Sequence, residues 1–150
     1  MHANEHSFRV RYAETDRMGI VYHSNYYVWF DIGRTEFIRS IGLNYSELEE
    51  NGLLLPVLET HCIYKKAARY DDVVTVKTIL NELKGVRIMF KYEIYRKDQQ
   101  NITQKITGTN EGKELLAYGS TVQAFVDKNL KPVNIKKAFP DVFERLMACF

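Results

Sequence analysis

The sequence is short of everything that would staple a fold covalently or carry it into a membrane. It has two cysteines, Cys62 and Cys149, in 150 residues. Two thiols so placed make neither a disulfide framework nor a zinc spacing, and both are expected to be free. His2, His6 and His61 show no ligand spacing with Cys62 or with Asp71-Asp72, so no metal is expected. No apolar run approaches the eighteen or so residues that span a bilayer, and MHANEHSF at the start has no apolar core of signal-peptide length. A cytoplasmic protein without a transmembrane segment is therefore expected. A net charge of +2 gives no field that argues for nucleic acid or a membrane surface. No glycine-rich phosphate loop, internal repeat, low-complexity tract or linker is present, so any nucleotide would lie on the surface. What remains is an ordinary globular composition, 45% hydrophobic and 27% charged. Its length suits a single domain over residues 1–150 with one core, burying about 68–70% of the unfolded surface.

The chain is organised around YAETDRMGIVYHSNYY, Tyr12 to Tyr27. An alternating run, Phe8 to Tyr12, leads into Glu14-Thr15-Asp16; Gly19 breaks it before the apolar Ile20-Val21-Tyr22. After His23, Ser24 and Asn25 are good N-cap residues, and helical spacing predicts a helix over Asn25 to Ile41. The first N–H groups of a helix lack intrahelical acceptors and carry the positive end of its dipole. A carboxylate seven residues upstream, at Asp16, can return to that spot across the glycine turn. A base or nucleophile beside such donors suits attack on an acyl carbon; an aspartate in a loop before a helix is otherwise a solvated turn former.

Tyr26, Phe30, Gly33, Phe37 and Ile41 form one stripe of this helix and should face a sheet, with Gly33 allowing close approach to another backbone. Val28, Trp29 and Ile32 widen the apolar surface, so the helix should be enclosed on more than one side. Gly42 reads as its C′ residue with Leu43 folding back, and Ser46 to Glu49 as a capping box opening a short second helix. Strands are expected at Phe8 to Tyr12, Leu54 to Lys66, Val73 to Leu83, Val86 to Tyr95 and Leu115 to Val126. The fourth alternates cleanly, with Ile88, Phe90, Tyr92 and Ile94 on its buried face; in the last, Leu116, Tyr118, Val122, Ala124 and Val126 are assigned to the core. Thr75, Lys77, Lys91 and Gln123 are assigned to the opposite face. Asp71-Asp72 reads as a turn before a strand, the polar stretch Asp98 to Lys113 as an extended hairpin or substrate lid, and Phe139 to Phe150 as a short amphipathic helix. One strand, a helix and four strands with hairpin turns specify an α+β domain.

The same residues carry a resemblance. Tyr12-Ala13-Glu14-Thr15-Asp16 followed by Gly19-Ile20-Val21-Tyr22-His23-Ser24-Asn25-Tyr26 resembles the signature of the 4-hydroxybenzoyl-CoA thioesterase-like hotdog family, which includes the Tol-Pal-associated acyl-CoA thioesterases. The likeness continues at Phe30-Asp31, Arg34-Thr35-Glu36, Ala67 to Asp72, and Gly119-Ser120-Thr121 leading to Val126-Asp127, covering roughly residues 8 to 133. It departs at Glu14, where many members have a second aspartate, and in the long polar segment before the last strand.

The resemblance implies a hotdog fold: a five-stranded antiparallel sheet wrapped around one long central helix, with a short second helix and a C-terminal helix. It implies hydrolysis of an acyl-CoA or acyl-carrier-protein thioester to acid and thiol, with no cofactor beyond the coenzyme A of the substrate. Asp16 would be the catalytic carboxylate, as nucleophile or general base. The N–H of His23 would bind the thioester carbonyl, while its side chain orients the acyl group or assists the leaving thiolate. Gly19, Ile20, Val21, Tyr22, Asn25 and Tyr26 would contact substrate. Lys65-Lys66 with Arg69, and Lys84 with Arg87, are the candidates for the coenzyme phosphates. Glu36 is the rival carboxylate, against a reading as an ion-pair partner of Arg34 or Arg39. Subunits would join sheets edge to edge as a homodimer or homotetramer with the acyl site at the junction. A hotdog enoyl-thioester hydratase and a non-catalytic acyl-CoA or acyl-carrier-protein binding module are the alternatives.

Overall fold

The computed structural model describes residues 1–97 and 112–150. In chain order it contains β1 (Ala3–Arg9), a 3-10 turn (Tyr12–Glu14), α1 (Asn25–Ser40), α2 (Tyr45–Glu50), β2 (Val57–Tyr64), β3 (Val73–Lys84), β4 (Arg87–Lys97), β5 (Lys113–Ala124), α3 (Ile135–Ala138) and α4 (Pro140–Met147). The five strands form one sheet in the order β1-β3-β4-β5-β2, every neighbouring pair antiparallel. The sheet wraps α1, the α+β hotdog architecture that the resemblance implies.

The helix stripe packs as its spacing requires. Phe30 stacks on Tyr92 with ring centroids 4.3 Å apart, and Phe37 meets Phe90 edge-on at 5.5 Å. Both phenylalanines are fully buried, each contributing about 1.5–3 kcal/mol of transfer free energy. Gly33 brings α1 onto β3: a Cβ there would lie 2.5 Å from Thr78 Oγ1 and 2.6 Å from Val76 Cγ1. At the other end Leu43 N–H donates to the Ile38 carbonyl past Gly42, the expected Schellman closure. Trp29 is covered within the chain, but Val28 is 48% exposed, so α1 is not enclosed on that side.

Several boundaries differ from the expectations, each for a local reason. β1 lies earlier than Phe8 to Tyr12. It is an edge strand whose polar residues pair with β3 from Ala3 to Arg9, and after Val10 bonds with Asp71 and Asp72 the chain turns away. Pro56 shortens β2: Leu54 makes only an isolated bridge to Val126, and Lys65 and Lys66 both donate to the Leu116 carbonyl. A register shift opposite Ile94 and Tyr95 rotates β5, so that Ala117, Gly119, Thr121 and Gln123 face α1 while Tyr118 is exposed and Val122 only partly covered. Gln123 thus belongs to the helix side, opposite Ile88, and Thr75 is buried on the outer face, hydrogen-bonded to Ser7 at 2.8 Å. α2 is capped by Asn44, whose Oδ1 accepts from Ser46 N–H at 2.8 Å, not by a box beginning at Ser46. The Asp98 to Lys113 stretch falls almost wholly outside the described residues. No described helix is long and apolar enough to cross a membrane.

Candidate active site

The loop between β1 and α1 is closed by its own backbone. Asp16 N–H donates to the Ile20 carbonyl at 2.9 Å and Gly19 N–H to the Asp16 carbonyl at 3.0 Å, a tight turn that Gly19 completes with φ +75. Thr15 bridges Val21, and Val21 N–H donates 2.8 Å to the Ala68 carbonyl, tying the loop to the 67–72 segment before β3. Tyr22 N–H donates to the Glu14 carbonyl at 2.9 Å, so the chain re-enters α1 directly beside the point where it left β1.

The start of α1 is not capped by a side chain. Ser24 already has helical angles and makes no side-chain cap, and Asn25 Nδ2 turns back to donate to the Glu14 carbonyl at 2.9 Å. The Tyr22, His23 and Ser24 carbonyls accept from Asn25, Tyr26 and Tyr27. Among the described residues the backbone N–H groups of His23 and Ser24 have no acceptor. They form the electropositive tip of a sixteen-residue helix.

His23, at that tip, and Asp16 line one cavity of about 280 Å³, together with Ile20, Val21, Tyr22, Tyr26 and Lys66. Asp16 is half-buried; its Oδ1 accepts Met18 N–H at 2.8 Å, and among the described residues its Oδ2 has no donor. The cavity is walled by aromatic rings. Tyr26 and Tyr64 meet edge-on at 5.0 Å, and the exposed His23 ring lies between Tyr22 at 4.4 Å and Tyr64 at 6.4 Å. Tyr64 Oη donates to the His23 carbonyl at 3.2 Å, which helps aim the next peptide's N–H. Burial pushes the Tyr26 phenol above its ordinary value, so it stays protonated at neutral pH and accepts from Ala68 N–H at 3.4 Å. Among the described residues the His23 ring makes no hydrogen bond; ring packing is what holds it.

Lys65, a phosphate candidate beside Lys66, also lines the cavity, as do Met18, Tyr64 and Ala67, which were not anticipated. Met18 follows Asp16 by two positions and could have been read from the loop; the others come from the end of β2, and only the pairing of β2 with β5 brings them there. Four anticipated residues do not contact the cavity, and Gly19 shapes its turn without lining it. Asn25 is committed to Glu14. Arg69 is exposed, and its N–H donates to Asp72 Oδ2 at 2.9 Å. Lys84 pairs with Glu82 at 2.6 Å, and Arg87 opens β4 beside it. Both sit at the far end of the β3–β4 hairpin, about 35 Å along the strand from the loop. Glu36 pairs with Arg39, roughly 16 Å along the helix axis from the tip, as the ion-pair reading requires.

Lys66 is not a free cation at the cavity mouth. Its Nζ lies 2.6 Å from Glu114, whose carboxyl is held below the usual range by Lys66 and Arg96. Arg96 joins that cluster to the site's floor, donating to the Ala67 carbonyl and to Asp72 Oδ2, each at 3.0 Å. Among the described residues no three His, Cys, Asp or Glu side chains group as metal ligands would, and Cys62 and Cys149 are free.

The chain is similar to known proteins over nearly its whole length. The family model described as the thioesterase-like superfamily matches residues 10–145. A putative acyl-CoA thioesterase, YneP, of Bacillus subtilis is 38% identical over 142 residues, covering 94% of this chain and 93% of its own. The acyl-CoA thioesterase YbgC of Haemophilus influenzae is 38% identical over 89 residues, 59% of this chain and 65% of its own. Among solved structures, the DHNA-CoA thioesterase of Staphylococcus aureus superposes with a TM-score of 0.85 at 32% identity, covering 99% of this chain and 91% of that one. This chain belongs to the thioesterase-like superfamily of hotdog proteins.

Proposed function

We propose that this protein hydrolyses acyl-CoA thioesters, with Asp16 as the catalytic carboxylate and the tip of α1 as the site of the developing oxyanion. One observation carries the reading: Asp16 and His23, whose backbone N–H has no acceptor among the described residues, line the same cavity, with the Ser24 N–H next in the chain. Hydrolysis needs an oxygen delivered to the acyl carbon and donors for the carbonyl oxygen as it gains charge. With the thioester carbonyl on those N–H groups, the Asp16 Oδ2 either attacks the carbon, giving a mixed anhydride and the coenzyme thiolate, or takes a proton from an attacking water. Both routes consume one water and yield acid and thiol. Tyr22, Tyr26, Tyr64 and the His23 ring hold the acyl and thioester groups.

The relatives' names support coenzyme A as the carrier; an acyl carrier protein presents the same pantetheine thioester. We place the working unit as a homodimer, with pairs able to form a tetramer. Among the described residues β2 is an edge strand with no outer partner, Val57, Leu58 and Tyr64 are exposed on it, and its last residue, Tyr64, lines the cavity, so a second copy laid along it would add a wall. Free thiols suit the cytoplasm as its compartment. The test is a panel of short, long and aromatic acyl-CoAs followed by release of free thiol. Saturable thiol release from at least one is expected. Saturable binding without release across the panel overturns hydrolysis in favour of a binding module, and hydration of crotonyl-CoA in its place would mark a hydratase.

A further inference from the structure

Glu14 has no part in the chemistry above, yet it is 4% exposed and its oxygens accept five hydrogen bonds. Its Oε1 accepts from Arg11 N–H at 2.9 Å and Arg11 Nε at 3.3 Å, and its Oε2 accepts from the Trp29 indole Nε1–H at 2.7 Å. Its carbonyl accepts from Tyr22 N–H and Asn25 Nδ2, both at 2.9 Å. Trp29 is itself fully buried against Tyr26 at 4.8 Å and Phe8 at 5.5 Å, so its indole is a rigid anchor in the second turn of α1.

The placement of these partners is what matters. Asp16 is two residues beyond Glu14, and His23 is one beyond Tyr22. The two halves of the proposed site therefore stand on opposite strands of a loop that Glu14 joins at its base, below the Thr15–Val21 bridge and the Asp16–Ile20 bond. We infer that Glu14 is a positioning residue: its buried carboxylate locks the 3-10 turn to the Trp29 indole and so sets the Asp16 carboxylate against the N–H groups of His23 and Ser24. The inference rests on the hydrolase reading and names the internal strut of that site. A glutamine keeps the shape and the backbone bonds, but it turns an NH₂ toward either the two Arg11 donors or the Trp29 indole. The indole donor is buried, and when it faces the NH₂ it must move to find an acceptor. A shift on the order of an ångström between reacting groups lowers turnover about a hundredfold.

The experiment compares wild type, Glu14→Gln, Trp29→Phe and the double variant on the acyl-CoA that wild type hydrolyses fastest, with rates taken per folded protein. Trp29 is the only tryptophan, so its single indole N–H resonance reports the contact directly. Trp29→Phe removes the indole donor while keeping one aromatic ring in the buried site, and it carries the test if Glu14→Gln does not fold. The expected result is a fall in kcat of about ten- to hundredfold in each single variant, with KM within about twofold. The double variant should be no slower than the slower single, because both changes cut one link, and the indole resonance should shift and exchange faster in Glu14→Gln. With wild type active, kcat within about twofold of wild type in Trp29→Phe, or a loss confined to KM, overturns the inference alone. No hydrolysis by wild type on any acyl-CoA overturns the hydrolase reading first and this inference with it.

Discussion

Gly33→Ala sets two opposing terms against each other in the middle of α1. On an isolated helix alanine is favoured over glycine by about 1 kcal/mol. Here the added Cβ would stand 2.5 Å from Thr78 Oγ1 and 2.6 Å from Val76 Cγ1, distances real Cβ atoms do not adopt. Both neighbours are β-branched side chains on a central strand, without a flexible end that could swing aside. Overpacking of this kind costs typically 1–3 kcal/mol, and two contacts this short put the cost near 3. The packing term wins, leaving a net loss of about 2 kcal/mol. For a chain of 150 residues that lowers Tm by roughly 4–8 °C. Calorimetry together with urea unfolding at unchanged m-value measures it. An unchanged or raised Tm would mean that α1 does not sit against β3 as described, and the aim of its N-terminus would have to be reconsidered.

Other consequences are open to measurement. Gly119→Ala should be worse than Gly33→Ala, because its Cβ would lie 2.1 Å from the His61 carbonyl and 2.9 Å from the Phe30 ring; failure to accumulate as folded protein, or a larger Tm loss, is expected, and a milder effect would contradict the β2–β5 register. At alkaline pH, burial raises the phenols of Tyr26, Tyr45 and Tyr92, while burial and the bond to Glu93 push Tyr95 up to about 12. These groups are neutral in the folded chain where the unfolded chain is already ionised. Their stabilisation is therefore whole below pH 10 and is lost at higher pH, for Tyr95 as pH rises through about 12. Phenolate absorbance should accordingly lag in the native protein and rise together with unfolding; full titration near pH 10 without unfolding would refute the burial.

The elements that were legible from sequence are those whose signal is local. The alternation of Ile88, Phe90, Tyr92 and Ile94 survives because β4 is central and one of its faces lies wholly against α1. Gly33 and Gly42 were readable because each answers a constraint within one helix. β5 was misread at Tyr118, Val122 and Gln123, while Leu116, Ala124 and Val126 are buried as assigned; a register shift changes which residues face α1, and nothing in Leu115 to Val126 announces it. β1 was placed late because an edge strand tolerates Asn4, Glu5 and His6 and carries little apolar signal. The site divides in the same way. Asp16, Ile20, Val21, Tyr22, His23 and Tyr26 converge because one tight loop and one helix start hold them. Tyr64, Lys65 and Ala67 arrive from about forty residues further on, through sheet pairing that no local pattern encodes. Lys84 and Arg87 were grouped with the site because strand ends look alike in sequence; the length of β3 puts them at the wrong end.

The most direct test of the account is turnover by Asp16→Asn on the best acyl-CoA substrate. The variant keeps the side chain's size and the acceptor for Met18 N–H, so Tm should change little. With the carboxylate gone, kcat should fall at least about a hundredfold. Turnover by the folded variant within a few-fold of wild type would contradict a catalytic Asp16.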